Sequence, residues 1–220
     1  YGETSKALEI LSQVNSMIKG DKVMKMYYND VLAEVYLIHN QRDLAIEVLK
    51  EAGRLDLDTQ SCESIGTNLN RKLKRSEKIA GLYLRKGLVN QAEKTFMESL
   101  RIAHDIYGYE NQHEDVARIY VNLANTAIQQ KNFSSAEEYL EQTNKMMSRS
   151  NTHFIVYHFH MLSGELLIAQ AGYKGALQHL YELIKIVGGP SDKTMNLRDL
   201  GSVYLRMGKC YFNLGNFSVS

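Results

Sequence analysis

A chain of 220 residues with 44% hydrophobic and 23% charged residues has enough apolar material to bury a continuous core, which excludes a compositionally disordered polymer. Its 26 Lys and Arg balance 25 Asp and Glu, and the balance holds in each half, 16 against 16 up to residue 110 and 10 against 9 beyond it, so neither half carries a field that recruits nucleic acid or an anionic membrane. The chain holds a single proline where average usage would give about eleven, the composition of a mostly helical protein.

The helices fall into a repeating register. Each unit shows a small residue, a usually bulky residue three positions on, an alanine nine further, and a bulky residue four after that. The first unit is represented by its second helix, at 3–19, with Gly2, Thr4, Ala7 and Leu11 as its turn and start. Repeat 2, at 22–57, carries Ala33, Tyr36, Ala45 and Leu49, and repeat 3, at 62–107, carries Ala80, Tyr83, Ala92 and Phe96. Repeat 4, at 112–149, has Ala124, Ala127, Ala136 and Leu140, and repeat 5, at 152–188, has Gly164, Leu167, Ala176 and Leu180. The first helix of repeat 6, at 192–215, carries Gly208 and Tyr211. The marker residues of the second helices, at 7, 45, 92, 136, 176 and 220, give periods of 38, 47, 44, 40 and 44. Both ends are expected to fall mid-repeat, so that the chain is a piece of a larger protein.

Small residues recur at these places because two antiparallel helices that cross closely admit only Gly, Ala or Ser at the crossing. The turns read NQRDLA, GLVNQA, KNFSSA, AGYKGA and LGNFSVS. Together the small-residue register and these turns resemble the tetratricopeptide repeat over essentially the whole chain, and the stretch from Ser99 to Tyr139 is similar to the long repeats of kinesin light chains. Two departures are plain: no unit has the tryptophan of that pattern, and the closing proline stands only at Pro190. The resemblance implies an all-α, right-handed solenoid of antiparallel helix pairs, a single domain over 1–220, whose first helices line a concave face. Longer helices than in the minimal repeat are expected, with the sharpest inter-repeat break at Gly188 to Ser191.

Motifs for chemistry are absent. The sequence has no GxGxxG, GxxxxGK[ST], GxSxG, HExxH or acidic calcium loop, so a catalytic role and a bound cofactor are not expected. Cys62 and Cys210 stand 148 positions apart with no CxxC, which fits two thiols in a reducing compartment, cytoplasm or nucleus. No apolar run approaches the ~18–20 residues of a membrane span. His153, His158 and His160 are the nearest approach to a metal cluster, but the last two lie about 200° apart around a helix and cannot share one ion. Asn70-Arg71-Lys72-Leu73-Lys74-Arg75, with Lys78 beyond it, reads as a solvated basic face or, alternatively, a basic rim for an acidic peptide; no interleaved aromatics suggest nucleic acid. Asn132-Phe-Ser134 and Asn216-Phe-Ser218 match the glycosylation pattern by chance, each lying in an interhelix turn. Tyr36, Tyr83, Phe96, Tyr139 and Tyr211 are expected in the core, and Phe212 and Phe217 at an exposed apolar edge.

Helical period then places candidate groove residues. Repeat 2 offers Tyr27, Asp30, Glu34 and Leu37; repeat 3 offers Lys74, Glu77, Lys78 and Leu84; repeat 4 offers Arg118, Val121, Asn122, Asn125 and Ile128; repeat 5 offers His158, Met161, Glu165 and Ile168; repeat 6 offers Leu205, Arg206, Lys209 and Phe212. Amides, charges and apolar side chains in one stripe suit an extended peptide, and Asn122 and Asn125 stand where the resemblance implies asparagines that grip a ligand backbone. Asp30, Glu34, Glu77 and Gly81 stand where the carboxylate-clamp members of that family would need Lys and Asn, so an acidic C-terminus is not expected to bind there. The expected function is a non-catalytic adaptor for a protein or peptide partner, with no nucleic acid, no metal and no membrane insertion. Alternatives are a structural subunit assembled through exposed repeat edges, or a regulatory array attached to an effector domain.

Overall fold

The computed structural model describes residues 2–58, 65–109, 112–147, 153–186 and 197–215. Among them stand ten α-helices and no strand: α1 Gly2–Met17, α2 Lys22–Ile38, α3 Arg42–Asp58, α4 Ile65–Arg85, α5 Val89–Tyr107, α6 Glu114–Gln129, α7 Phe133–Met147, α8 His153–Ala169, α9 Tyr173–Ile186 and α10 Leu197–Asn213. The chain is an all-α repeat fold in two compact units, Tyr1–Tyr109 and Glu110–Ser220. In the first, α2 pairs with α3 and α4 with α5, while α3 also meets α4 and α1 meets α2. In the second, α6 pairs with α7 and α8 with α9; α8 also touches α6 and α7, and α10 packs on α9.

Each hairpin closes on its small residues. Ala33, Ala45, Ala80, Ala92, Ala124, Ala136 and Ala176 are all completely buried, in both helices of the first three pairs and in α9 of the fourth. Gly164 shows why nothing larger than a methyl group fits: a Cβ there would already lie 3.4 Å from Leu180 Cδ2 and 3.8 Å from the carbonyl oxygen of Ala176. Bulky residues fill the grooves beside these crossings. In the first unit Ala33, Ala45, Ile46, Leu49 and Leu82 form one core, with Tyr36 and Tyr83 packed against it, and Phe96 is fully buried. In the second, Leu177, Leu180, Leu183, Val203, Met207 and Cys210 form another, bounded by Tyr173 and Tyr211. Burying such side chains contributes roughly 1.5–3 kcal/mol each relative to exposure.

The interhelix turns repeat as faithfully as the crossings. At four of them one residue takes a left-handed backbone: Asn40 (φ 58°), Gly87 (φ 74°), Lys131 (φ 60°) and Ala171 (φ 60°). The following amide then reaches back to a carbonyl one turn inside the finished helix: Gln41 N to Tyr36 O at 2.8 Å, Leu88 N to Tyr83 O at 2.9 Å, Asn132 N to Ala127 O at 2.9 Å and Gly172 N to Leu167 O at 2.7 Å. This is the Schellman cap, which satisfies the carbonyls a helix end leaves bare and aims the chain into the next helix. Only Gly87 of the four holds the left-handed state without steric cost.

Four expectations lie outside the described residues: the Gly188–Ser191 break with Pro190, the state of Cys62, the exposure of Phe217, and the turn at Asn216 to Ser218. Cys210 is a buried free thiol, and its burial pushes its pKa up.

The strained caps make a measurable difference. Lys131→Gly and Ala171→Gly are each expected to stabilise the fold by about 0.5–1 kcal/mol, and Gly87→Ala to cost about 1 kcal/mol. Urea unfolding followed by circular dichroism checks the signs; a lower midpoint for both glycine variants would show that these turns are not strained.

Candidate functional site

The first helices of the pairs carry the candidate residues, and each unit arranges them differently. In the first unit the basic run of α4 is divided: Lys74 and Lys78 face solvent, while Arg71 and Arg75 turn inward. Arg75 is buried and donates from Nε and Nη2 to the two carboxylate oxygens of Asp30 on α2, both at 2.7 Å, and from Nη1 to Asp56 Oδ2 on α3 at 2.5 Å. Arg71, one turn earlier, donates to Asp56 Oδ1 at 3.1 Å and to Tyr27 Oη at 3.3 Å, with its guanidinium 5.6 Å from the Tyr27 ring centre. Burial works against the Arg75 charge, yet the hydrogen bonds and charges of Asp30 and Asp56 outweigh it and hold its pKa above the usual guanidinium value. Bidentate geometry gives such a pair its strength and orientation.

The neighbouring lysines divide by helical face. Leu73 is buried, Lys72 reaches Glu98 on α5 at 3.5 Å, and Lys78 is ion-paired with Glu34 on α2. Asp30 and Glu34 are therefore not bare negative charges repelling an acidic ligand: each is matched by a cation from α4. Lys74 is exposed.

Periodicity carried a signal for this clasp that composition concealed. Arg71 and Arg75 precede Ile79 and Leu82 at helical spacing, on the stripe that enters the core, and Asp56 continues the buried series Ala45, Leu49 and Ala52 on α3.

In the second unit, α6 places Asn122 and Asn125 half-exposed one turn apart, with Asn125 Oδ1 accepting from Gln129 Nε2 at 3.2 Å. The backbone beneath them is fixed by Thr126, a fully buried residue whose hydroxyl donates to Asn122 O at 2.8 Å. Arg118 is tethered to Asp115 at 2.5 Å, one turn nearer the start of α6. Val121 turns inward and is buried. On α8, Glu165 is half-exposed and paired with Arg206 of α10, whose guanidinium also meets Ser202. Met161 is not an open groove residue: it is 8% exposed, within the core of α9 and α10, and Ile168 packs against the same core. Lys209 is exposed, as are Leu205 (76%) and Phe212 (61%). Among the described residues no three His, Cys, Asp or Glu side chains converge to hold a metal, and no helix is long and apolar enough to cross a membrane.

Paired helices, small-residue crossings and one recurrent turn are the geometry of a helical-repeat scaffold, and comparison with known proteins names the repeat. Residues 74–148 match the tetratricopeptide repeat family. That match covers about a third of the chain, and no curated protein matches the sequence. Solved structures extend the tetratricopeptide-repeat fold over the remainder. BtubC (BKLC) from P. vanneervenii superposes with a TM-score of 0.75 at 18% identity, covering 98% of this chain and 84% of that one. The nearly identical TPR-like repeats of a putative kinesin light chain from Podosopora anserina give 0.64 at 17% identity and 88% of both chains. YrrB, a TPR protein with an unusual peptide-binding site, gives 0.52 at 15% identity, covering 95% of this chain and 86% of its own. At these identities the likeness is one of fold: an all-α tetratricopeptide-type repeat solenoid.

The clasp sets a stability prediction. Removing one partner of a buried ion pair strands the other, so Arg75→Ala is expected to destabilise the first unit by about 3–5 kcal/mol, whereas Lys78→Ala, which breaks an exposed pair, should change stability by less than about 1 kcal/mol. Denaturant titration of both variants checks the contrast; similar effects from the two would mean that burial does not separate them.

Proposed function

We propose that the chain is a non-catalytic protein-interaction module that holds an extended segment of a partner along the first helices of its second unit. The carrying observation is the stripe of half-exposed Asn122 and Asn125 on α6, seated on the buried Thr126 hydroxyl. An amide side chain offers a donor and an acceptor together, the pair of groups that a peptide backbone presents in return. Arg118, Glu165, Arg206 and Lys209 supply charge around the stripe, and Leu205 and Phe212 supply apolar contact. The ion pairs Arg118 to Asp115 and Glu165 to Arg206 hold these long side chains in place before a ligand arrives, which lowers the entropy cost of binding.

The two units have different parts in this reading. In the first, acids and bases of α2, α3 and α4 satisfy one another, leaving Lys74 and the exposed flank of the Lys78 pair as its contribution to recognition. The fold's likeness to YrrB, which has a peptide-binding site of its own, supports a peptide as the ligand class. A partner peptide here is expected to need no single strong charge, since most of the cations in the stripe already have acidic neighbours.

A second reading rests on α10, where Tyr204, Leu205 and Phe212 all remain exposed. An apolar helix face of this kind suits assembly with another protein surface, as a scaffold subunit would use it.

Selection of a displayed random-peptide library on the chain, followed by affinity measurement, tests the first reading. Asn122→Ala with Asn125→Ala should weaken the selected peptides roughly tenfold or more, because two amide hydrogen bonds at ~1 kcal/mol each are lost. Unchanged affinity with helicity retained would remove the α6 assignment. Light scattering of Leu205→Glu with Phe212→Glu addresses α10: a drop in oligomeric mass relative to the parent chain supports assembly through it, and a monomeric parent argues against it.

A further inference from the structure

Histidine is placed in this chain where the groove does not need it. His160 on α8 and His179 on α9 face each other across their hairpin with their Nδ1 atoms 3.0 Å apart and their ring centres 5.2 Å apart. Phe159, itself buried, stands edge-on to both rings at 5.2 and 5.9 Å. Gly164, one turn further along α8, leaves space for Leu180, the residue after His179: a Cβ there would lie 3.4 Å from Leu180 Cδ2. Glu182, one turn beyond His179 on α9, lines the same open depression, together with Gln178, Tyr181 and Lys185.

We propose that His160 and His179 form a two-imidazole clamp for a borderline transition-metal dication of the zinc, copper or nickel class. Two nitrogens each about 2.0–2.1 Å from one ion are separated by roughly 2.9–3.4 Å between square and tetrahedral angles, and the observed 3.0 Å falls in that window. In the metal-free chain the same separation is a hydrogen bond between two neutral rings, one donating from Nδ1 and the other accepting. Metal binding needs the donating ring to carry its proton on Nε2 instead and both rings to turn until their Nδ1 lone pairs converge on one point beside the line between them; no net proton is released.

The electrostatics favour this state. Burial holds both imidazoles below their usual pKa, and His179 adds to the effect on His160, so the lone pairs are available at neutral pH. The Glu182 carboxylate opposes the lowering in both rings and brings negative charge to the same spot; its own pKa is held down by a hydrogen bond from Lys185. That Glu182 to Lys185 pair is solvent-exposed and weak, free to open when a dication arrives. With no third His, Cys, Asp or Glu converging among the described residues, water completes the coordination sphere, and the site lies open to it.

The test uses the whole chain without a histidine tag. Calorimetric titration with Zn²⁺ at neutral pH should show one saturable site per chain. His160→Ala and His179→Ala should each weaken it at least about tenfold, or roughly 1.4 kcal/mol, and Glu182→Gln several-fold, while His153→Ala with His158→Ala leaves it unchanged. Electron paramagnetic resonance of the Cu²⁺-loaded parent chain, which needs no variant to fold, should show hyperfine structure from two imidazole nitrogens. Zinc affinity unchanged by either histidine substitution, no saturable site, or a copper spectrum with fewer than two imidazoles overturns the clamp.

Discussion

Helix pairs in this protein approach until their backbones nearly touch, and the fold depends on keeping that approach open. Seven alanines and Gly164 sit at the crossings with no exposed surface or no room for a longer side chain. Because packing at such contacts is as dense as in an organic crystal, one added branch at any of them would drive the helices apart and empty the grooves that Leu49, Phe96, Leu140 and Leu180 fill. The distance between His160 and His179 and the seating of α4 against α2 and α3 are both set by these crossings.

Charge is arranged with the same economy. Arg75 binds two carboxylates from two helices and Arg71 shares one of them, so three elements of the first unit are tied by a cluster whose every member has a partner. Such a cluster specifies how α4 sits more than it adds net stability, because desolvating the charges offsets most of their attraction. Its consequence is subtraction: Asp30 is matched by Arg75 and Glu34 by Lys78, so neither acid stands alone on α2.

Much of the architecture was legible in the residues. The small-residue register marks the crossings of the hairpins α2–α3, α4–α5, α6–α7 and α8–α9, since a crossing that tolerates only Ala or Gly leaves a mark at fixed spacing, and four of the turn strings coincide with the residues that cap α2, α4, α6 and α8. Several side chains were not legible in the same way. Met161 was placed in the groove by helical period, but α9 and α10 close over that face and bury it. The run Arg71 to Arg75 looked like a solvated patch because charge composition dominates a short window, although Ile79 and Leu82 continue the same stripe into the core. His179 could not be joined to His160 from sequence, because their contact depends on how two helices cross.

Local periodicity and backbone sterics by themselves determined the helical class, the repeat and the position of each turn, since these follow from 3.6-residue spacing and from the space a side chain needs at a crossing. Tertiary structure alone decided which charges are spent inside the fold, which candidate side chains face solvent, and which two imidazoles meet. The first two outcomes depend on the third helix packed against a pair, and the imidazole contact depends on how α8 and α9 cross; no single helix encodes either.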